Sequence, residues 1–191
     1  NLEENLSIAL GSSGTTLYEL TSAYSAFANL GSMTKPTVIR NIKSRQGKVL
    51  FTAEPDTTQP ISSETAHIMT SLMQSVVKNG TAIKIKSLKR PVAGKTGTAK
   101  IAINGGYASG RYRASFTGYF PADDPEFACI VVVADTRSGS YYGSAIAAPV
   151  FRDLADLIYA TDPSFHEVLD EPLLAENKRH LPTAMNGARE E

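Results

Sequence analysis

The run from Arg113 to Phe120 and the run from Phe127 to Asp135 are rich in β-branched and aromatic residues, and only Pro121-Ala122-Asp123-Asp124-Pro125 separates them. A link that short cannot carry a crossover, so the two runs are expected as antiparallel neighbours in one sheet. The second run has a continuous apolar centre, Ile130 to Val133, which predicts cover on both of its faces. Gly94 to Ile101, led into by Val92 and Ala93, reads as a third strand, and the glycine-rich Asn104 to Gly110 as a loop before the pair.

Helices flank these strands. Thr16-Leu17-Tyr18-Glu19 spells a capping box, after which Leu17, Leu20, Tyr24, Phe27 and Ala28 recur at helical spacing until Asn29 and Gly31. A second helix is predicted after Ser62 or Ser63, with Ile68, Leu72, Ser75 and Val76 on one face, Met69 and Met73 beside them, and Asn79-Gly80 as its stop. A third runs from about Ser144 to Ala160, with Val150, Leu154, Leu157 and Ile158 buried and Pro149 in an early turn. Val38, Ile39 and Ile42 begin a β run that returns through Arg45-Gln46-Gly47 into Lys48–Thr52, and Glu54–Pro60 is a polar loop. The class predicted is α+β, an antiparallel sheet with helices on both faces. Residues 1–161 form the folded part, and 162–191 an acidic, loosely held tail.

The chain has 191 residues and balances nineteen bases with nineteen acids, which argues against general nucleic-acid binding. The balance is uneven along the chain. From Thr65 to Ala122 there is no acid but nine bases, and from Asp162 onward seven acids face three bases. A basic stretch can be a solvated face, or a field that draws in an anion such as a substrate carboxylate. No apolar run approaches the ~20 residues needed to cross a bilayer. The chain begins at Asn1 without a leader pattern, and it is read as a piece of a longer protein.

Several catalytic plans fail on the residues. His67, His166 and His180 are scattered, with no metal-ligand spacing; neither a metal nor a cofactor is expected. No Gly-x-Ser-x-Gly elbow is present. Cys129, the single cysteine, falls inside the last strand, where a thiol behaves as a small hydrophobe. Gly94-Lys95-Thr96 has the ending of a phosphate-binding loop, but Lys89 stands where that loop needs glycine and a strand follows instead of a helix.

As a strand edge, Lys95-Thr96-Gly97-Thr98 makes chemical sense. An ammonium sits beside two hydroxyls, and a glycine between them permits close approach of a ligand backbone. The free edge can pair with an extended peptide, and one N–H can face a developing oxyanion.

K-T-G is a motif of penicillin-binding proteins and serine β-lactamases, and other segments follow in matching order. They are Leu10-Gly11, Thr15–Leu20, Ala23–Asn29, Val77–Ala82, Val92–Ala99, Ala114–Pro121, Ile130–Val133 and Ala147–Phe151. Over roughly Asn5 to Ala160 the chain resembles the C-terminal half of a penicillin-binding transpeptidase domain, most like the class B enzymes of division or elongation; Ala9–Ser13 is closer to bifunctional class A. The resemblance implies that Lys95 supports the serine relay and attracts the carboxylate. It implies that Thr96 and Thr98 hydrogen-bond the carboxylate of a D-Ala-D-Ala stem peptide, that the Thr98 N–H completes the oxyanion hole, and that Gly97 permits close approach. It also implies β-lactam antibiotics as ligands, cell-wall synthesis proteins as possible partners, and an inner-membrane anchor with the catalytic domain outside. The family's Ser-x-x-Lys tetrad and Ser-x-Asn, which supply the nucleophile, its base and the relay serine, are expected in the upstream half of the domain. A serine β-lactamase, a D,D-carboxypeptidase and an inactive peptidoglycan-binding module are the alternatives.

Overall fold

The fold was analysed as a computed structural model, which describes residues 6, 8, 11, 13–103, 106–136 and 140–165. The chain divides into two compact units, Asn1–Asp156 and Leu157–Glu191.

In the first unit, helix α1 (Leu17–Ala28) starts on the predicted capping box. Thr16 Oγ1 accepts the Glu19 N–H at 3.1 Å while Glu19 Oε2 accepts the Thr16 N–H at 2.9 Å. The Thr16 N–H and the Thr16 hydroxyl, both donated to Oε2, hold the Glu19 carboxyl below its usual range. Two short antiparallel pairs follow. Strand β1 (Met33–Thr34) pairs with β4 (Thr57–Thr58), and β2 (Asn41–Lys43) with β3 (Val49–Thr52). The β2–β3 hairpin turns through Gly47 at φ +84°, a left-handed value that glycine takes without strain. Val38 and Ile39 precede β2 and are exposed; the predicted run is shorter than its apolar residues suggest. Helix α2 (Ser63–Lys78) is capped by Ser62, whose Oγ accepts the Thr65 N–H.

The main sheet has the order β5–β6–β7, all antiparallel, with β5 at Ala93–Ile103, β6 at Gly106–Phe120 and β7 at Phe127–Thr136. Residues 106–110, expected in a loop, belong to β6. Tyr107 pairs with Ala102 and Gly106 with Ile103, so the strands continue into a long hairpin. The irregularity that the glycines signal is a register shift near Lys100–Ala102, and Gly110 has φ +66°.

Register divides the sheet into two faces. Ala93, Lys95 and Gly97 align with Tyr119, Thr117 and Ser115, and these with Ala128, Ile130 and Val132. This face packs on α1 and α2 through Tyr24, Phe27, Ala28, Met69 and Met73. There Tyr119 OH and Thr70 Oγ1 share a hydrogen bond of 2.6 Å; burial pushes the Tyr119 phenol upward, and the Thr70 bond partly offsets it. On the opposite face, Phe116 and Phe120 meet Phe151 of helix α3 (Gly143–Thr161) edge-on, with centroids 4.6 and 5.5 Å apart. Gly94 and Gly118 pair beneath the Phe116 ring, and a Cβ on Gly94 would come within 2.6 Å of Phe116 Cζ. The two missing side chains are therefore the space that the ring occupies. The sheet thus has helices on both faces, as its strand pattern predicts.

Both later helices are rotated from their predicted phases. In α2 the buried residues are Ala66, Met73 and Val77, while Ile68 and Leu72 are exposed. In α3 the buried hydrophobic residues of the first unit are Ala147, Ala148, Phe151 and Ala155, while Val150 and Leu154 are exposed. Alanines bring the α3 backbone close to the sheet and leave Phe151 to fill the remaining depth. Leu157, expected to be buried, is exposed as well. Pro149 lies in the second turn, where its missing N–H removes the helical bond to Ala145. Ile130–Val133 of β7 is half-buried, and among the described residues β7 pairs with β6 alone.

Within the second unit, Tyr159 packs on Phe165 at 4.6 Å, and Pro163–Phe165 form a single 3-10 turn. The rest of the predicted tail, from residue 166, lies outside the described residues.

Candidate active site

The Lys95–Thr98 segment lies on β5, which has β6 on one side and no strand on the other among the described residues. This is the edge position that its chemistry requires. Lys95 and Thr98 are exposed, and Thr96 and Gly97 are half-buried. Lys95 Nζ reaches the Thr96 carbonyl at 3.5 Å. Among the described residues no carboxylate lies within ion-pair distance of Lys95, whereas Arg111 pairs with Asp135 and Arg152 with Asp153.

Alternation along the strand sets the side chains apart. Lys95 shares the α2 face with Thr117, and Thr96 and Thr98 lie on the α3 face with Phe116 and Ala114. The two hydroxyls have different partners. Thr96 Oγ1 is 2.9 Å from Thr81 Oγ1, just beyond α2. Thr98 Oγ1 accepts the N–H of Gly143, the first residue of α3, at 3.1 Å. A Cβ on Gly97 would meet the Ser115 hydroxyl, which would have to rotate away. Thr81 and Gly143 are the site neighbours that sequence reasoning did not assign. Thr81 stood inside the quoted Val77–Ala82 segment, and Gly143 just before the expected helix start.

Two Ser-x-x-Lys strings do occur in the chain, Ser32-Met33-Thr34-Lys35 and Ser75-Val76-Val77-Lys78. This qualifies the expectation that the tetrad belongs to the upstream half alone. In the first string the two middle residues form extended β1, so Ser32 and Lys35 are not one helical turn apart. In the second, Ser75 and Lys78 are both exposed on α2. Among the described residues no hydrogen bond joins either serine hydroxyl to its lysine, and no Ser-x-Asn exists in the sequence. Neither string builds an activated nucleophile of the kind that hydrogen-bond contact with a base would give.

The other candidates stay outside the site. His67 is exposed on α2, and His166 and His180 lie outside the described residues. Cys129 is half-buried on β7 and burial pushes its thiol upward, away from the thiolate that reactivity needs. Among the described residues no cluster of His, Cys, Asp or Glu could hold a metal ion.

The model of the penicillin-binding protein transpeptidase domain matches residues 2–156. The chain belongs to this family. Among curated relatives of this transpeptidase family, it is 29% identical to "Probable peptidoglycan D,D-transpeptidase PbpC" of Pseudomonas aeruginosa, over 85% of the chain and 27% of the relative. It is 33% identical to penicillin-binding protein PbpB of Mycolicibacterium smegmatis, over 79% of the chain and 25% of the relative. Among solved transpeptidase structures, penicillin-binding protein 3 of Mycobacterium tuberculosis complexed with ampicillin superposes with a TM-score of 0.67 at 27% identity. That match covers 76% of this chain and 34% of that one. The chain therefore spans about a quarter of the length of these curated relatives.

Proposed function

We propose that this chain forms the C-terminal wall of a peptidoglycan D,D-transpeptidase. The reaction joins stem peptides through a serine ester. The serine Oγ, contributed upstream, attacks the penultimate D-Ala carbonyl, the peptide C–N bond breaks, and the terminal D-Ala leaves. An acceptor amine then attacks the ester, a new peptide bond forms and the serine is restored.

The observation that carries this reading is the edge of β5, which has no strand beyond it among the described residues, with the Lys95 ammonium, which has no carboxylate partner among them, and the exposed Thr98 hydroxyl on it. An extended peptide laid along that edge gains main-chain hydrogen bonds. Its terminal carboxylate meets Thr96 and Thr98 on the α3 face, Lys95 on the other face draws in the anion and supports the serine relay, and the Thr98 N–H faces the oxyanion. Gly97 permits the approach. The surrounding fifty-eight residues without an acid add no repulsion toward that carboxylate. The reading includes class B membership, a role in division or elongation with other cell-wall synthesis proteins, and a membrane anchor that holds the domain outside the inner membrane.

Fluorescent penicillin and a denaturing gel test the proposal. The full-length protein is expected to carry a covalent label, and the isolated 191-residue chain none. A label on the isolated chain, or none on the full-length protein, contradicts it. Turnover of a D-Ala-D-Ala peptide with an added acceptor amine separates a transpeptidase from a carboxypeptidase or β-lactamase, which pass the acyl group to water alone.

A further inference from the structure

Resting on the proposal that Thr98 binds the substrate carboxylate, we infer that Gly143 is a positioning residue that aims the Thr98 hydroxyl proton at that carboxylate. A hydroxyl has one proton to donate and two lone pairs. The Gly143 N–H occupies one lone pair of Thr98 Oγ1, at 3.1 Å. That fixes the side on which the oxygen accepts and leaves the proton to point elsewhere. Among the described residues the proton has no acceptor, and Thr98 is exposed. Thr96 differs, because its hydroxyl is already paired with Thr81. Either hydroxyl of that pair can be the donor, whereas the Gly143 N–H can only donate, so its bond always leaves Thr98 the proton for the anion.

The approach that makes this bond is a glycine property. Gly143 is buried, and a Cβ on it would fall within 3 Å of both Ser115 O and Gly97 O and 3.1 Å from Gly97 N. These are backbone atoms of β5 and β6, which cannot swing aside. Any side chain at 143 therefore lifts the start of α3 off the strand. Tyr141, two residues earlier, stacks flat on Tyr112 of β6 at 4.0 Å, which holds the chain down as it enters the helix.

The test uses the full-length protein and compares second-order acylation by benzylpenicillin and by its methyl ester, which lacks the charged carboxylate. Thr98→Val is expected to slow acylation by the acid about tenfold or more, as loss of a hydrogen bond to a charged group does, and by the ester less than about twofold. Thr98→Ser restores the acid rate. Gly143→Ala repeats the selective loss, and the Gly143→Ala/Thr98→Val double variant loses no more than Thr98→Val alone. Tyr141→Leu, which removes the stack but places no new atom against the strand backbone, gives the same acid-selective loss at about threefold and serves if Gly143→Ala does not fold. Equal losses on acid and ester, losses that add to that of Thr98→Val, or an unchanged acid rate in the Gly143 and Tyr141 variants overturn the inference. An unchanged acid rate in Thr98→Val instead overturns the carboxylate reading beneath it.

Discussion

Replacing Lys95 with alanine in the full-length protein is expected to lower the second-order rate of acylation by a β-lactam about 10²- to 10³-fold, or about 3–4 kcal/mol of transition-state stabilisation. The argument is electrostatic and positional. Lys95 stands on an edge strand, faces the side of the sheet that α2 covers, and has no carboxylate partner among the described residues. Its charge is thus available to an anion or to a neighbouring serine relay. Thr96→Val is expected to cost less, about 1–2 kcal/mol, because the Thr96 hydroxyl already shares a hydrogen bond with Thr81. Lys86→Ala is the control. Lys86 is exposed in the 3-10 segment Ile83–Leu88, and its loss is expected to leave the rate within about twofold, as surface changes usually do. Acylation measured at fixed ionic strength decides the matter. Equal losses for Lys86→Ala and Lys95→Ala would assign the effect to the diffuse basic stretch instead of the motif.

The second large effect concerns stability. Phe151→Ala is expected to destabilise the folded protein by about 3–5 kcal/mol, measured by denaturant unfolding. Phe151 is fully buried and lies edge-on against both Phe116 and Phe120. Its neighbours on the helix are the alanines at 147, 148 and 155, which are too small to refill the cavity. Val150→Ala, one position away and exposed, is expected to cost less than about 1 kcal/mol. A comparable cost for the two would mean that α3 presents the face predicted from its larger aliphatic residues.

That comparison also shows where the sequence was legible. Thr16 and Glu19 announced α1 because a capping box is local chemistry, complete within four residues. The short link between Phe120 and Phe127 determined the direction of the last two strands for the same kind of reason. Helix phase is not local. Ile68, Leu72, Val150 and Leu154 outweigh alanine on any hydrophobicity count, yet Ala66, Ala147 and Ala155 are buried because the backbone comes close there. Gly106–Gly110 read as loop because glycine has low strand propensity, while pairing with β5 keeps that segment extended. At the site, K-T-G stood out as a short contiguous string. Thr81 and Gly143 join it only across fifteen and forty-five residues of sequence, a proximity that the fold supplies.

The most direct measurement is to treat the full-length protein with benzylpenicillin, digest it and locate the modified residue by mass spectrometry. The account predicts one adduct, on a serine upstream of Asn1. An adduct on Ser32 or Ser75, the two serines of this chain followed three residues later by lysine, would contradict it.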